Sequence, residues 1–327
     1  MMLLEQAVLL LTVAAFLFIY AASGLIVLKW IGRKVFHRPV PQRSVAGLQI
    51  RAVVLIAAAV GILCGLYARF VEPYWLEETR ATFTSPKLSP DPRPVRLALL
   101  SDLHCDTAMT VEKKVLAAVA AMKPDAILFA GDGVSSREGI PTLRTVMTHL
   151  ATIAPTYVVY GNWDGHIVHL SDLYGDTNVK VLDGRPVQLE IGGRRLWLVG
   201  AAAWDWAGAE RTLRSLPAEE YRIVLYHYTD HIYEAADAGA DLYLCGHTHG
   251  GQVCLPIYGA LTTLARYGKQ FEKGRYRVES TEMYVSRGIG EEGGLVPRVR
   301  FLSRPEVTLI EISGEPTPQI ATDKRGG

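Results

Sequence analysis

At 327 residues, 49% of them hydrophobic, the chain can hold one medium-sized domain with a sizeable core and accessory segments besides. Its 34 Lys and Arg against 33 Asp and Glu leave a formal charge of +1, which argues against a nucleic-acid surface. The four cysteines, Cys64, Cys105, Cys245 and Cys254, show no zinc-knuckle spacing and are too sparse for a disulfide scaffold. They read as small buried residues, with a Cys245–Cys254 bridge and the redox compartment left open.

From Gln6 to Leu28 no charge occurs across 23 residues, enough at about 1.5 Å per residue to cross a hydrocarbon core of roughly 30 Å. A second uncharged run, Ala52 to Ala68, is extended past Arg69 by Phe70 and Val71. The first run is too long for a signal-peptide core and precedes no clear cleavage pattern. Neither run has the polar face of a soluble surface helix. The expectation is a membrane anchor over 1–78 with two transmembrane helices at about 6–28 and 52–71. Between them lie Lys29, Arg33, Lys34, Arg38, Arg43 and Arg51 without an acid. Short basic loops stay cytoplasmic, so the bulk of the chain is expected outside a cell membrane, tethered to it.

TFTSPKLSPDPRP (82–94) concentrates four prolines in its last nine residues, and a semi-rigid spacer is expected over 79–95. Apolar β-type runs then alternate with helical ones. The expected strands are VRLALLS, AILFA, TYVVYG, RRLWLVGA, YRIVLYH, DLYLCG, MYVSRG and VTLIEI. VEKKVLAAVAAMK and LRTVMTHLATI show helical spacing, Pro141 sits near the start of the second, and IGGRR reads as a hairpin turn. Near-continuously apolar strands separated by helices imply a sheet covered on both faces. The fold class is α/β, a sandwich flanked by helices over 96–313 behind two transmembrane helices, with a disordered tail at 314–327.

Polar residues end those strands: Asp102 and His104, Asp132, Asn162, His227, then His247 and His249. Each alone is more often a turn former or a hydrogen-bonded structural residue. Seven oxygen and nitrogen donors, all at strand ends and with glycine beside four of them, point instead to a ligand site at the sheet edge. Imidazole and carboxylate without thiolate suit Mn, Fe or Zn. Asp132, with two carboxylate oxygens and an early strand, is the natural bridge between two ions.

SDLH, GD, GN, an isolated His after the next apolar strand and GHTHGGQ resemble, in order, the motifs of calcineurin-like metallophosphoesterases. The resemblance covers about 100–312. GHTHGGQV, YVSRGIG and VRFLSRPEVTLIEI are similar to the membrane-associated branch that includes lipid-directed phosphodiesterases and one class of UDP-2,3-diacylglucosamine hydrolase. The resemblance implies a sandwich fold and a phosphohydrolase with two divalent metal ions, Mn first. Asp102, His104 and His249 would hold one ion, Asn162, His227 and His247 the other, with Asp132 between. Asp132, Asn162 and His227 would be the catalytic members, and water-derived attack would need no Ser or Cys.

The family usually places a leaving-group His where this chain has Trp163, in YGNWDG. An indole N–H cannot release a proton at neutral pH, so turnover should favour weakly basic leaving groups such as those of diphosphates. His166 and His169 lie close by, and Asp164 is expected to cap the following helix. IYGALTTLARYGKQF places Ile257, Leu261, Leu264 and Tyr267 at roughly helical spacing beside Arg266 and Lys269, read as a core helix or as an amphipathic lid. Trp163, Arg287, Arg298 and Arg300 are candidates for substrate contact. The expected substrate is a lipid or lipid-linked phosphate at the membrane, with no nucleic acid and no obligatory protein partner. A UDP-diacylglucosamine-type lipid is one alternative, and a catalytically weak receptor for phosphorylated lipids is another.

Overall fold

A computed structural model describes residues 2–39, 44–91, 93–167, 172–293 and 298–315. His169, Arg43 and the tail beyond 315 lie outside them. Two helices lead, α1 (Met2–Val35) and α2 (Val45–Phe70), each long and apolar enough to cross a membrane. Their large apolar side chains, such as Leu10, Phe18, Ile56 and Leu63, are exposed on every side rather than packed into a core. The helices meet where side chains are small or can bond. Tyr20 Oη donates to the Ala58 carbonyl at 3.1 Å and Ser23 Oγ to the Val54 carbonyl at 3.4 Å. Gly61 leaves the room that Tyr20 needs, since a Cβ there would stand 2.5 Å from its hydroxyl.

The remainder runs β1 (Glu77–Ser85), β2 (Val95–Leu100), α3 (Glu112–Met122), β3 (Ala126–Phe129), α4 (Ile140–Ile153) and β4 (Thr156–Val158). The one-turn α5 (Asn162–Gly165), β5 (Lys180–Val181), β6 (Val187–Ile191), β7 (Arg194–Gly200), α6 (Trp206–Ser215) and β8 (Tyr221–Leu225) follow. Next are α7 (Ile232–Asp237), β9 (Leu242–Cys245), β10 (Cys254–Leu255), β11 (Gly259–Ala260), β12 (Gly274–Val278), β13 (Thr281–Val285) and β14 (Glu306–Gly314). Two six-stranded sheets result, in the orders β1-β14-β2-β3-β4-β5 and β12-β13-β9-β8-β7-β6. β2, β3 and β4 are parallel, as are β7, β8 and β9, so within each sheet these three strands end in one direction.

Alternation along β2 explains two of the three cores that separate four layers. Leu97 and Leu99 face the second sheet, meeting Ile223, Leu225, Leu242 and Leu244. Ala98 and Leu100 face the other way, onto Val115 and Val119 of α3 and Leu143 and Val146 of α4. The outer face of the second sheet carries Val199, Val224 and Tyr243 against Leu213 of α6 and Ile232 of α7. Each wholly buried Leu contributes about 1.5–3 kcal/mol relative to exposure. All four cysteines are free thiols, three of them buried, so the Cys245–Cys254 bridge is not formed.

Two expectations are corrected. The spacer over 79–95 is shorter than its composition implied, because residues 77–85 form β1, paired parallel with β14. Ala81, Phe83 and Ser85 are buried while Thr82 and Thr84 are exposed, a period of two that Pro86 ends. The helix expected from Ile257 to Tyr267 does not form. Ile257 and Leu264 take left-handed backbone, φ 69° and 55°, which breaks any helix there, and both side chains are exposed. The segment instead closes the β10–β11 turn and ends in a short turn of 3-10 helix, Gly268–Phe271.

Candidate metal centre

The carboxyl ends of β2, β3 and β4 in one sheet and of β8 and β9 in the other meet at a single edge. Asp102 and His104 follow β2, Asp132 follows β3, Asn162 β4, His227 β8, and His247 and His249 β9. Backbone bonds continue the ladders into these loops. The Asp102 N–H donates to the Gly131 carbonyl at 2.9 Å, His104 to Asp132 at 3.1 Å and Gly246 to His227 at 3.1 Å. Asp102, His104, Asp132, His247 and His249 all have left-handed φ, at 52°, 43°, 56°, 70° and 49°. Such a backbone costs a non-glycine residue roughly 1–2 kcal/mol and persists where the surroundings enforce it for function. Glycine is required where two loops cross. A Cβ on Gly131 would lie 2.5 Å from the Gly161 nitrogen, and one on Gly161 would overlap the Asp132 carboxylate.

The donor atoms form two groups, each within 4.8 Å: Asp102, His104 and His249, and Asp102, Asp132 and His227. His104 Nε2 stands 3.2 Å from His249 Nε2, and His249 Nε2 is 3.6 Å from Asp102 Oδ1. Asp132 Oδ2 lies between the halves, 3.7 Å from His104 Nε2 and 3.4 Å from His227 Nε2. Asn162 Oδ1 is 2.8 Å from His227 Nε2. His247 sits at the rim. Its backbone N–H reaches both Asp102 oxygens, at 3.2 and 3.1 Å, and its half-buried ring lies 5.1 Å from that of His227.

Supporting contacts orient the rings. His227 Nδ1 lies 2.8 Å from the Ala130 carbonyl, so the Nδ1 proton points away and the Nε2 lone pair points inward. His104 Nδ1 pairs with Ser135 Oγ at 2.8 Å, and Ser101 Oγ donates to Asp102. Burial holds His104 down to about 4 and His247 to about 3, leaving both as neutral donors. Burial, with the nearby Asp132 charge, pushes Asp102 up to about 7. Burial would raise Asp132 as well, but the facing His227 and His104 bring it down to about 2. The same pairing overcomes burial at His227 and raises it to about 9. Two buried carboxylates beside the neutral imidazoles of His104 and His247 and the protonated one of His227 match the donor chemistry of a divalent cation, which would displace the protons on His227 and Asp102.

Further residues complete the edge. Asp164, wholly buried, accepts the backbone N–H of Asp132, Gly133 and Gly161, each at 2.9 Å. It lies inside α5 rather than at the start of a following helix, bonds back to the Gly161 N–H that precedes α5, and also ties the Asp132 loop to the Asn162 loop. Trp163 donates its backbone N–H to Asp132 Oδ1 at 2.8 Å and its indole N–H to Glu292 Oε1 at 3.2 Å, with its ring edge-on to His104. Gln252 holds Glu292 by both of its backbone groups, accepting its N–H at 2.8 Å and donating to its carbonyl at 3.1 Å. His166 is exposed and packs edge-on to Trp163.

Of the three arginines, Arg300 is unavailable to a headgroup. Fully buried, it donates to the carbonyls of Gly290, Ser303 and Arg287, and its Nη2 lies 3.3 Å from His249 Nδ1. Arg287 is occupied by Glu77 and Glu306. Arg298 remains at the surface, paired with Asp106 at 2.8 Å beside the His104 loop.

Beside His249 opens a mainly apolar cavity of about 310 Å³, walled by Val253, Leu261 and Leu264 and reaching Leu9 of α1. Both apolar helices dock on this domain at their acidic ends. Glu5 is buried and accepts the Lys269 N–H at 3.0 Å, and Glu72 accepts the N–H groups of Leu302 and Ser303.

Residues 95–254 match the calcineurin-like phosphoesterase superfamily domain. An uncharacterised metallophosphoesterase of Bacillus subtilis (strain 168), YkuE, is 31% identical over 268 residues, covering 75% of this chain and 88% of that protein. The phosphodiesterase YaeI of Escherichia coli (strain K12) is 30% identical over 255 residues, covering 75% and 92%. The UDP-2,3-diacylglucosamine pyrophosphatase LpxG of Chlamydia trachomatis serovar D is 24% identical over 319 residues, covering 79% and 95%.

Proposed function

Because the chain belongs to the calcineurin-like metallophosphoesterases and is a metal-dependent phosphoester hydrolase, we propose that it acts on a phosphoester or diphosphate of a membrane lipid. The observation that carries this reading is the apolar cavity running from His249 to Leu9 of α1. A lipid whose phosphate lies at the ligand cluster could leave its acyl or prenyl chain there, alongside the helix that would enter the bilayer. Exposed Ile257 and Leu264 add apolar surface to the same loop region.

Asp102, His104, Asp132, Asn162, His227, His247 and His249 are assigned as ligands to two divalent cations; their oxygen and nitrogen donors suit Mn, Fe or Zn, and Mn is put first on the family resemblance alone. Such cations, when bound, polarise phosphoryl oxygens and make water nucleophilic at neutral pH. The chain's own contribution is placement. Asp164 fixes the two loops that present Asp132 and Asn162, and Ala130 and Ser135 orient the imidazoles. Trp163 supplies no proton to a departing oxygen, so a weakly basic leaving group is preferred. That favours a diphosphate. The relative that acts on UDP-2,3-diacylglucosamine makes such a nucleotide lipid the second reading.

Orientation is proposed from charge. The basic stretch lies at the end of both helices away from the domain, while Glu5 and Glu72 lie against it, which fits a cytoplasmic loop and an outward catalytic domain. A reporter fused after residue 327 and active only in the cytoplasm would reverse this assignment and move the nucleotide lipid to first place.

The substrate is tested with the full chain in neutral detergent, loaded with Mn²⁺ and offered a phospholipid, a lipid diphosphate, UDP-diacylglucosamine and a soluble aryl phosphodiester. We expect the lipid diphosphates to give the highest kcat/KM. Leu261→Asp should lower lipid turnover at least tenfold and leave the soluble ester within about twofold. Equal loss on both substrates, or no preference for lipids, refutes the lipid reading.

A further inference from the structure

We propose that the cleft between α1 and α2, at the end remote from the metal centre, binds an anionic phospholipid by its headgroup. The inference rests on reading the two helices as membrane-spanning, and on no residue of the metal centre.

The helices are held together at Tyr20–Ala58 and Ser23–Val54 and then part. Beyond that point the space between them amounts to about 1010 Å³. Leu48 and Leu55 contribute to an apolar floor, and Arg33, Lys34, Arg38 and Arg51 stand at the mouth. No acid occurs between Glu5 and Glu72. At about 1.5 Å per helical residue, Glu5 lies roughly 42 Å from Arg33 along α1, and Glu72 roughly 31 Å from Arg51 along α2. Both distances exceed the roughly 30 Å of a hydrocarbon core, so each carboxylate lies at the opposite face of the bilayer and neither neutralises the cluster.

A wedge of this size among hydrocarbon chains fills with a chain, and four cations at its mouth with no acid partner among the described residues draw an anion at headgroup depth. A glycerophospholipid with net negative charge supplies both in one molecule. Free phosphate matches the mouth and leaves the floor unfilled. A zwitterionic lipid brings its own cation against four others, and a second copy of this chain brings four more. Trp30 lines the cleft with the Lys34 ammonium 5.1 Å from its ring centroid, a pair suited to the interfacial depth where a headgroup sits.

The test is native mass spectrometry of the full chain released from neutral detergent with added phosphatidylglycerol or phosphatidylcholine. Phosphatidylglycerol should be retained at least tenfold more, with 1:1 stoichiometry, and millimolar inorganic phosphate should not displace it. Replacing Arg33 and Arg51 by Gln should weaken retention by about fivefold for each charge removed. Turnover of a soluble aryl phosphodiester, unchanged in that double variant, shows that its catalytic domain is folded. Leu55→Trp, which fills the floor and keeps every charge, guards against altered insertion and should also lower retention. The same measurements on Asp132→Asn separate this site from the catalytic one, because there phosphatidylglycerol retention should persist. Equal retention of the two lipids, displacement by phosphate, loss of retention only in Asp132→Asn, or a lipid-free dimer overturns the proposal.

Discussion

Replacing Trp163 by His tests how this site treats the departing group. The backbone N–H of residue 163 donates to Asp132 Oδ1 at 2.8 Å whatever the side chain, so the exchange leaves the ligand loop tied. What is lost is the indole bond to Glu292 at 3.2 Å and the edge contact with His104. A hydrogen bond to a charged partner contributes about 1.5–3 kcal/mol, part of which an imidazole N–H recovers, so stability should fall by at most about 2 kcal/mol. What is gained is a group able to give up a proton near neutral pH. General acids typically contribute 10²–10⁴ in rate, and the low end is apt here because no residue was selected to orient the new ring. If the gain is about 100-fold for an alkoxide leaving group of pKa near 15 and nil for a nitrophenolate near 7, the slope of log rate against leaving-group pKa should flatten by about 0.25. The assay is kcat/KM for a series of phosphodiesters with metal-loaded full chain, wild type and Trp163→His side by side. Parallel lines would refute the reasoning and make Trp163 a packing or lipid-contact residue.

Asp132→Asn removes the carboxylate that faces both His104 and His227. It should drop metal content below one ion per chain and turnover by at least about 10³, more than Asn162→Ala or His247→Ala, as read by elemental analysis and by Mn²⁺ rescue after chelation. Asp164→Ala strands three backbone N–H groups, each worth roughly 1–3 kcal/mol; after discounting the released cost of burying the carboxylate, thermal unfolding should show a loss of about 3–5 kcal/mol. Arg300→Leu should destabilise by a similar amount, about 3–5 kcal/mol, by undoing buried bonds to three carbonyls. Arg298→Gln, which breaks only a partly exposed pair with Asp106, should cost under about 1 kcal/mol and act on KM if at all. Metal affinity should fall as pH drops below about 9, because His227 takes up a proton that competes with the cation, and more steeply below about 7, where Asp102 does too, whereas His104 and His247 stay neutral down to about 4 and 3. Titration calorimetry between pH 5 and 8 should show up to about one power of ten per pH unit above 7 and up to about two below it, and a flat profile would contradict this.

The alternation that builds the sandwich was legible because each strand face reports on a separate layer. Leu97 and Leu99 had to differ in destination from Ala98 and Leu100. That Asp102, His104, Asp132, Asn162, His227, His247 and His249 gather at one sheet edge was legible for a related reason: parallel strands deliver their ends to one edge, so polar residues that close successive apolar runs converge in space. β1 was missed because four prolines outweighed a short alternation in ATFTS, although all four lie beyond its last residue. Helical spacing around Leu261 misled because spacing alone is blind to Ile257 and Leu264 in left-handed backbone. Arginines 287 and 300 looked like anion receptors because composition is silent about whether a guanidinium already has carbonyl or carboxylate partners.

Asp164 shows where local reading stops. Two residues beyond Asn162, it has the position of a helix cap and does that work for Gly161, but its other two bonds go to residues 31 and 32 places earlier in the chain. Those bonds bring the end of β3 against the end of β4 and leave the Asp132 oxygens facing His104 and His227. The carboxylate stays buried at a cost that raises it to about 7, offset in part by the Gly161 and Gly133 N–H groups. Burial without a salt-bridge partner is tolerable only because three converging N–H dipoles meet it, and they converge only once both strands are in register. The candidate metal centre and the sheet edge are therefore one folding unit. Substitutions at Asp164 should lower metal affinity and thermal stability together, whereas those at His247, on the rim, should separate the two.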